Sequence, residues 1–254
     1  MPATPDIRIA PDNQAWAQGA AGLLRDVTSQ AIKSRDRCLL ALSGGSTPST
    51  LYETLTRPEW RREFDWPHIL FLFGDERCIP PDHPDSNFGM ASATLFTPLN
   101  IPGDQISRMR GEQPDPGTAA RDYEERIRTM TGCPAPVIPR LDVVLLGLGN
   151  DGHTASLFPN TPALHDHSRL VTVGQSPSGI TSRLTFTLGV INQANVVVFL
   201  VTGSGKAQIV KTILEPSRDA DRRLPASLVR PERGRLIWLL DASAAKELRN
   251  RRSG

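Results

Sequence analysis

Short runs of apolar residues punctuate the chain, and most of them stop at a turn rich in glycine or small polar residues. Residues 141–146, interrupted only by Asp142, read as a buried strand, because a run so short and so rich in Val and Leu suits a strand covered on both faces. Residues 7–9, 37–42, 69–73, 196–201 and 236–240 read the same way, and 170–173 and 183–188 add two more strands. Between them the period turns helical. From a cap at Asp12 or Asn13 to about Lys33, the residues Trp16, Ala20, Leu23, Leu24, Val27, Ala31 and Ile32 share one face. Further helices are expected from Pro48 through Leu55, from a Ser86 cap through Leu95, over 117–130, through Ile209, Val210, Ile213 and Leu214, and over 242–248. Residues 98–117 show no period and read as loop, and 132–139 as a linker. Strands alternating with helices predict an α/β fold: an open, mostly parallel Rossmann-like sheet with helices on both faces and right-handed crossovers. Residues 1–254 are expected to form a single domain, a length ample for a full core.

In such sheets ligands sit at the carboxyl ends of the strands, so the turns there hold the candidate chemistry. The strand over 141–146 runs into Gly147-Leu148-Gly149-Asn150-Asp151-Gly152-His153 and delivers an acid and an imidazole. His153 two residues from Asp151 suits a general base with its orienting partner; the bland reading is a satisfied core histidine. The strand over 37–42 runs into Ser43-Gly44-Gly45-Ser46-Thr47-Pro48 and a helix. Backbone N–H groups and hydroxyls would converge there on an anion, although a tight, capped turn has the same composition. Lys206, flanked by Gly203 and Gly205 after another strand, tips that balance towards a phosphate shared between the Ser46–Thr47 turn and Lys206. Asp75, Glu76 and Arg77 end a third strand, where a charged trio marks a site more often than a solvated turn.

Composition narrows the classes. The net charge is +2 with 22% charged residues, so no global field points to nucleic acid or a membrane surface. The three cysteines, Cys38, Cys78 and Cys133, have no zinc spacing and suit a reducing compartment. No apolar stretch approaches a membrane span and no leader pattern opens the sequence, so a cytoplasmic enzyme is expected. Gly147–Gly152 matches G-x-G-x-x-G, but no acid follows at the end of the next strand as a dinucleotide site requires. Gly203–Lys206 resembles the end of a nucleotide phosphate loop, yet Leu200 stands where its first Gly belongs and Ala207 replaces the Ser or Thr that would hold magnesium. Asp151 and His153 are too few for a metal site, and no Gly-x-Ser-x-Gly elbow is present.

Five blocks together resemble the 6-phosphogluconolactonase family: LALSGGSTP, FGDERCIPPDHPDSN, GLGNDGHTASLFP, RLTFTL with VINQA, and VVFLVTGSGKA, spread between Leu39 and Leu214. The resemblance implies the open α/β fold shared with glucosamine-6-phosphate deaminase/isomerase. It implies hydrolysis of 6-phospho-D-glucono-1,5-lactone to 6-phosphogluconate in the pentose phosphate pathway, without metal or cofactor. The family's catalytic His falls on His153, its partner acid on Asp151 and its active-site Arg on Arg77. Substrate and phosphate contacts fall on Gly44, Gly45, Ser46, Thr47, Asp75, Arg183 and Lys206. Residues 178–182 depart from the family's Pro-rich approach to Arg183. The partner expected is a phosphorylated sugar lactone, with no nucleic acid and no membrane, in a monomer or small homo-oligomer. The sister activity, amino-sugar phosphate isomerisation with deamination, is the main alternative. Its members resemble this chain but tend to carry Asp-Glu-Tyr and a later Asn-Glu-Pro, where this chain has Arg77 and Phe158-Pro159. A non-catalytic sugar-phosphate-binding protein is the other.

Overall fold

The computed structural model describes residues 4–249. Among the described residues nine strands form, in chain order: β1 (Asp6–Ala10), β2 (Cys38–Leu42), β3 (Ile69–Phe73), β4 (Asp75–Arg77), β5 (Val143–Leu146), β6 (Val171–Gln175), β7 (Ser182–Phe186), β8 (Val196–Val201) and β9 (Arg235–Asp241). Six of them make the expected open sheet, in the order β1-β9-β8-β5-β2-β3, with every pairing parallel. β2, β5 and β8 are buried along their whole length, which is why their sequences are unbroken apolar runs rather than alternating ones.

The sheet grows outward from β2 in both directions. After β3 the chain crosses back over β2 to lay down β5, and then moves away through β8 and β9. The order therefore reverses between β2 and β5, and the turns leaving those two strands diverge to open a crevice. Those are the turns that begin at Ser43 and Gly147.

The strands over 170–173 and 183–188 do not join the parallel sheet. With β4 they form a separate antiparallel sheet, in the order β4-β7-β6. The reason is the connection: residues 176–181 contain no helix, and a link that short closes a hairpin, whereas a parallel neighbour needs a long crossover. Gly74 joins the sheets. Its N–H donates to Leu42 O at 2.9 Å, and its carbonyl accepts from Phe186 N at 2.8 Å.

Helix Asn13–Arg35 starts where expected: Asp12 accepts from Ala15 N at 2.7 Å, and Asp36 ends it in the left-handed region. Ser86 caps Asn87–Ala91 through Gly89 N. The charged helix runs Pro116–Thr131 from an Asp115 cap to Gly132 at φ 67°. Leu188–Gln193 adds a short helix that the sequence pattern did not mark. The helix expected over 242–248 is absent. Those residues form separate turns, with Ala244 N on the Asp241 carboxylate and Ala245 N on its carbonyl. A segment so short cannot offset the cost of helix nucleation by itself.

Candidate active site

Each of the ten residues singled out above, His153, Asp151, Arg77, Gly44, Gly45, Ser46, Thr47, Asp75, Arg183 and Lys206, lines one cleft of about 560 Å³ at the carboxyl ends of β2, β5 and β8. The small sheet supplies its other wall. Three cations, Arg77, Arg183 and Lys206, face it against two carboxylates, Asp75 and Asp151.

The loop after β5 folds back on itself to present the imidazole. His153 Nδ1 lies 2.6 Å from Asp151 Oδ1, and the same oxygen accepts from His153 N at 3.1 Å. Gly149 N donates to His153 O at 2.8 Å, closing the turn. Phe158 covers the imidazole, with ring centroids 4.4 Å apart. Thr154, fully buried, donates to Gly147 O at 2.8 Å and pins the loop to the strand end. With Nδ1 committed to a carboxylate, that nitrogen carries the proton and Nε2 is left as an acceptor.

A distant segment supports this loop from behind. Ala226 N donates to Gly152 O at 3.0 Å, and Leu224 packs so close to Gly152 that an added methyl would meet it at 3.1 Å. Buried Asp221 holds that segment in shape. It accepts from the backbone of Ser217 and Arg218 and from the Arg218 guanidinium at 2.7 Å, while its carbonyl takes Ser227 Oγ. The Arg218 guanidinium holds the Asp221 carboxyl below the ordinary carboxylate range.

The turn after β2 opens a helix N-terminus onto the cleft. Gly45 has φ 105°, and helix Ser46–Leu55 starts with no side chain capping it; Pro48 has no N–H and Ser49 N donates to Gly45 O at 3.1 Å, so the Ser46 and Thr47 N–H groups are the ones without a cap. Gly44 is needed for a different reason: a methyl there would fall 1.8 Å from Asn87 Oδ1. Buried Tyr52 steadies the turn, donating to Ser43 O at 2.8 Å. Thr47 and Thr202 share a 2.9 Å hydrogen bond that ties this turn to the one after β8. Lys206, on that second turn, donates to Asn150 Oδ1 at 2.8 Å and makes no ion pair among the described residues. Burial lowers the pKa of its ammonium, and Asp151 partly opposes that.

The small sheet sets Arg77 directly opposite Arg183 in the β4–β7 register. Arg77 Nη1 donates to Asp85 O, but its Nε is buried with no partner, as is Arg183 Nε. Neither guanidinium has a carboxylate partner among the described residues. Burial, and then the neighbouring Arg77, push the Arg183 pKa down. Glu76, in the middle of β4, is fully occupied. It accepts from Arg77 N, Asn87 N, Phe88 N and Ser86 Oγ, although burial raises its pKa against the pull of these donors. Among the described residues no three His, Cys, Asp or Glu side chains gather as a metal site would need.

Sequence reasoning did not single out Asn87, Ser156, Thr202 or Asn150 as site residues, and used Phe158 only to set the sister activity apart, yet all five line the cleft. Asn87 and Ser156 bond to Asp75, and Thr202 and Asn150 to Thr47 and Lys206. Their signal was their place inside the five blocks, beside the residues they hold.

The chain resembles known proteins along most of its length. Residues 11–238 match the family described as glucosamine-6-phosphate isomerases/6-phosphogluconolactonase. A 6-phosphogluconolactonase from a Nostoc species is 39% identical over 242 residues, covering 95% of this chain and 98% of that protein. The solved structure of 6-phosphogluconolactonase from Trypanosoma cruzi superposes with a TM-score of 0.87 at 30% identity, covering 98% of this chain and 99% of that one. A monomeric glucosamine-6-phosphate deaminase shares the fold, with a TM-score of 0.78 at 22% identity over 95% of this chain and 99% of that one. With a match running from the first helix to β9, and with relatives aligned nearly end to end, the chain belongs to the glucosamine-6-phosphate isomerase/6-phosphogluconolactonase family.

Proposed function

We propose that this chain hydrolyses 6-phospho-D-glucono-1,5-lactone to 6-phospho-D-gluconate, with His153 as the general base. The observation that carries the reading is that the His153–Asp151 pair shares one cleft with an uncapped helix N-terminus and three cations. A neutral lactone ring that carries an anionic phosphate needs both halves of that arrangement.

In this reading the Gly44–Thr47 turn, Arg183 and Lys206 hold the phosphate. His153 Nε2 takes a proton from water as the oxygen attacks the lactone carbonyl, and Asp151 keeps the imidazole in the tautomer that can accept it. Arg77 meets the negative charge that develops on the carbonyl oxygen, in a partly buried site where such an interaction is stronger than in water. When the ring C–O bond breaks, the imidazolium returns its proton to the departing ring oxygen, leaving a free hydroxyl and a carboxylic acid that gives its proton to solvent. The chain works as one domain, in the cytoplasm, as a monomer or small homo-oligomer without a nucleic-acid or membrane partner. No helix among the described residues is long and apolar enough to cross a membrane.

The sister reaction has less support. Phe158, where its members tend to carry Glu, offers no second acid beside His153. The deciding assay makes the phospholactone in situ by oxidising glucose 6-phosphate and follows 6-phosphogluconate. Catalytic acceleration over spontaneous hydrolysis is expected; release of ammonia from glucosamine 6-phosphate at comparable rates would overturn the assignment.

A further inference from the structure

The turn ahead of His153 gives its two central side chains to two different partners. Gly152 N donates to Gly149 O at 3.1 Å, which makes Asn150 and Asp151 the central residues. Asp151 takes the imidazole of His153. Asn150, which also lines the cleft, accepts from Lys206 Nζ at 2.8 Å through its Oδ1. Lys206 lies 56 positions further along the chain, on the turn after β8. Among the described residues this is the only side-chain hydrogen bond between the loop after β5 and that turn.

The chemistry of this bond is particular. An ammonium donates and never accepts, so the amide has to present its oxygen to it. Asn150 thereby fixes the end of a long, flexible side chain without bringing a charge of its own. Lys206 keeps its full positive charge, and its other N–H donors have no partner among the described residues. A carboxylate of the same shape would hold the ammonium more tightly and cancel the charge that an anion needs.

We propose that Asn150 is a positioning residue for phosphate recognition, tying the Lys206 ammonium to the turn beside the general base through a bond that leaves the ammonium's charge for the ligand. This rests on the phosphate role proposed above for Lys206. A lysine side chain gives up much rotamer freedom when it meets a ligand, and one already held in place has less left to lose. The tie also fixes the phosphate grip relative to the base, because Asn150 and the orienting partner of His153 are neighbours in one turn.

The test is a double-mutant cycle read by calorimetric titration with inorganic phosphate and by KM and kcat on the phospholactone. Asn150→Ala should weaken phosphate binding about two- to tenfold, the worth of an ordinary hydrogen bond. Asn150→Asp should weaken it by about tenfold or more, because the new carboxylate pairs with the ammonium. In both variants the loss should fall on KM more than on kcat. With Lys206→Met already in place, Asn150→Ala should cost less than about twofold more, since no ammonium is left to position. A turn that needs Asn150 only for its own shape gives the reverse order: the isosteric Asp stays close to the wild-type protein, Ala is the worse, and the loss is the same with or without Lys206. Either of those results would overturn the proposal, as would a wild-type protein that does not bind phosphate. Absence of wild-type turnover on the phospholactone is a different result: it would sink the lactonase reading, while the phosphate titrations would still decide the role of Asn150.

Discussion

The Cα of Gly149 sits so close to the His153 ring that a methyl group on it would fall 2.0 Å from Nδ1 and 2.6 Å from Asp151 Oδ1. The glycine is therefore part of the way the His–Asp pair is made, since any side chain there must wedge the pair apart. Gly149→Ala is expected to cost turnover on the scale of losing the base, about a hundredfold or more, while the affinity for inorganic phosphate as an inhibitor stays near that of the parent. Steady-state kinetics with phosphate inhibition would show it.

His153→Ala tests the base directly. Turnover should drop by about 10²–10⁴, with 6-phosphogluconate still binding at near-parental affinity by calorimetry. Loss of binding together with turnover would instead mark His153 as a structural support of its loop.

Lys206→Ala should weaken binding of the phosphorylated lactone by roughly ten- to a hundredfold, the usual worth of a charge-assisted hydrogen bond. Hydrolysis of unphosphorylated gluconolactone should barely change. Equal losses on both substrates would remove Lys206 from the phosphate site.

Acid should act on the His153 loop through Asp221. The Arg218 guanidinium holds this carboxyl below its ordinary value, so the unfolded chain binds the proton more readily than the folded one. The stabilisation is present above the ordinary carboxylate range and is lost as pH falls through the folded value. Because the Asp221 segment donates Ala226 N to Gly152, the amide of Ala226 should lose hydrogen-exchange protection over that acidic window. In Asp221→Asn that protection should be lower at neutral pH and nearly independent of pH below it.

Most of the main sheet was legible because its strands are buried on both faces, and continuous apolar runs ending at glycine advertise that situation. β4 was not. Asp75-Glu76-Arg77 is three charged residues with no apolar face, and it becomes a strand only because β7 lies beside it. The antiparallel sheet was hidden for the same reason, since a strand's partner is not written in its own pattern. Candidate site residues were easier to find than their supports. Glycine, Asp and His after a strand form a local signal, whereas Leu224 and Ala226 reach Gly152 from more than seventy positions away, out of a segment with no period to mark it. The turns over 242–248 misled in the opposite sense: Ala and Leu favour a helix, and the Asp241 carboxylate takes Ala244 N as a cap would, but the segment is too short to carry a helix on.

The register that sets Arg77 against Arg183 has a consequence for the protein without its ligand. Like charges directly opposite each other loosen a pair of strands, so β4 and β7 meet across a seam that their own side chains push open. A phosphate held by Arg183 would offset that repulsion, since its negative charge would face both guanidiniums. Arg183→Met is accordingly expected to melt at a higher temperature than its parent in buffer without anions, and to gain less from added phosphate. If Arg183 takes the phosphate as proposed, the affinity for that anion includes the relief of a repulsion between the two strands.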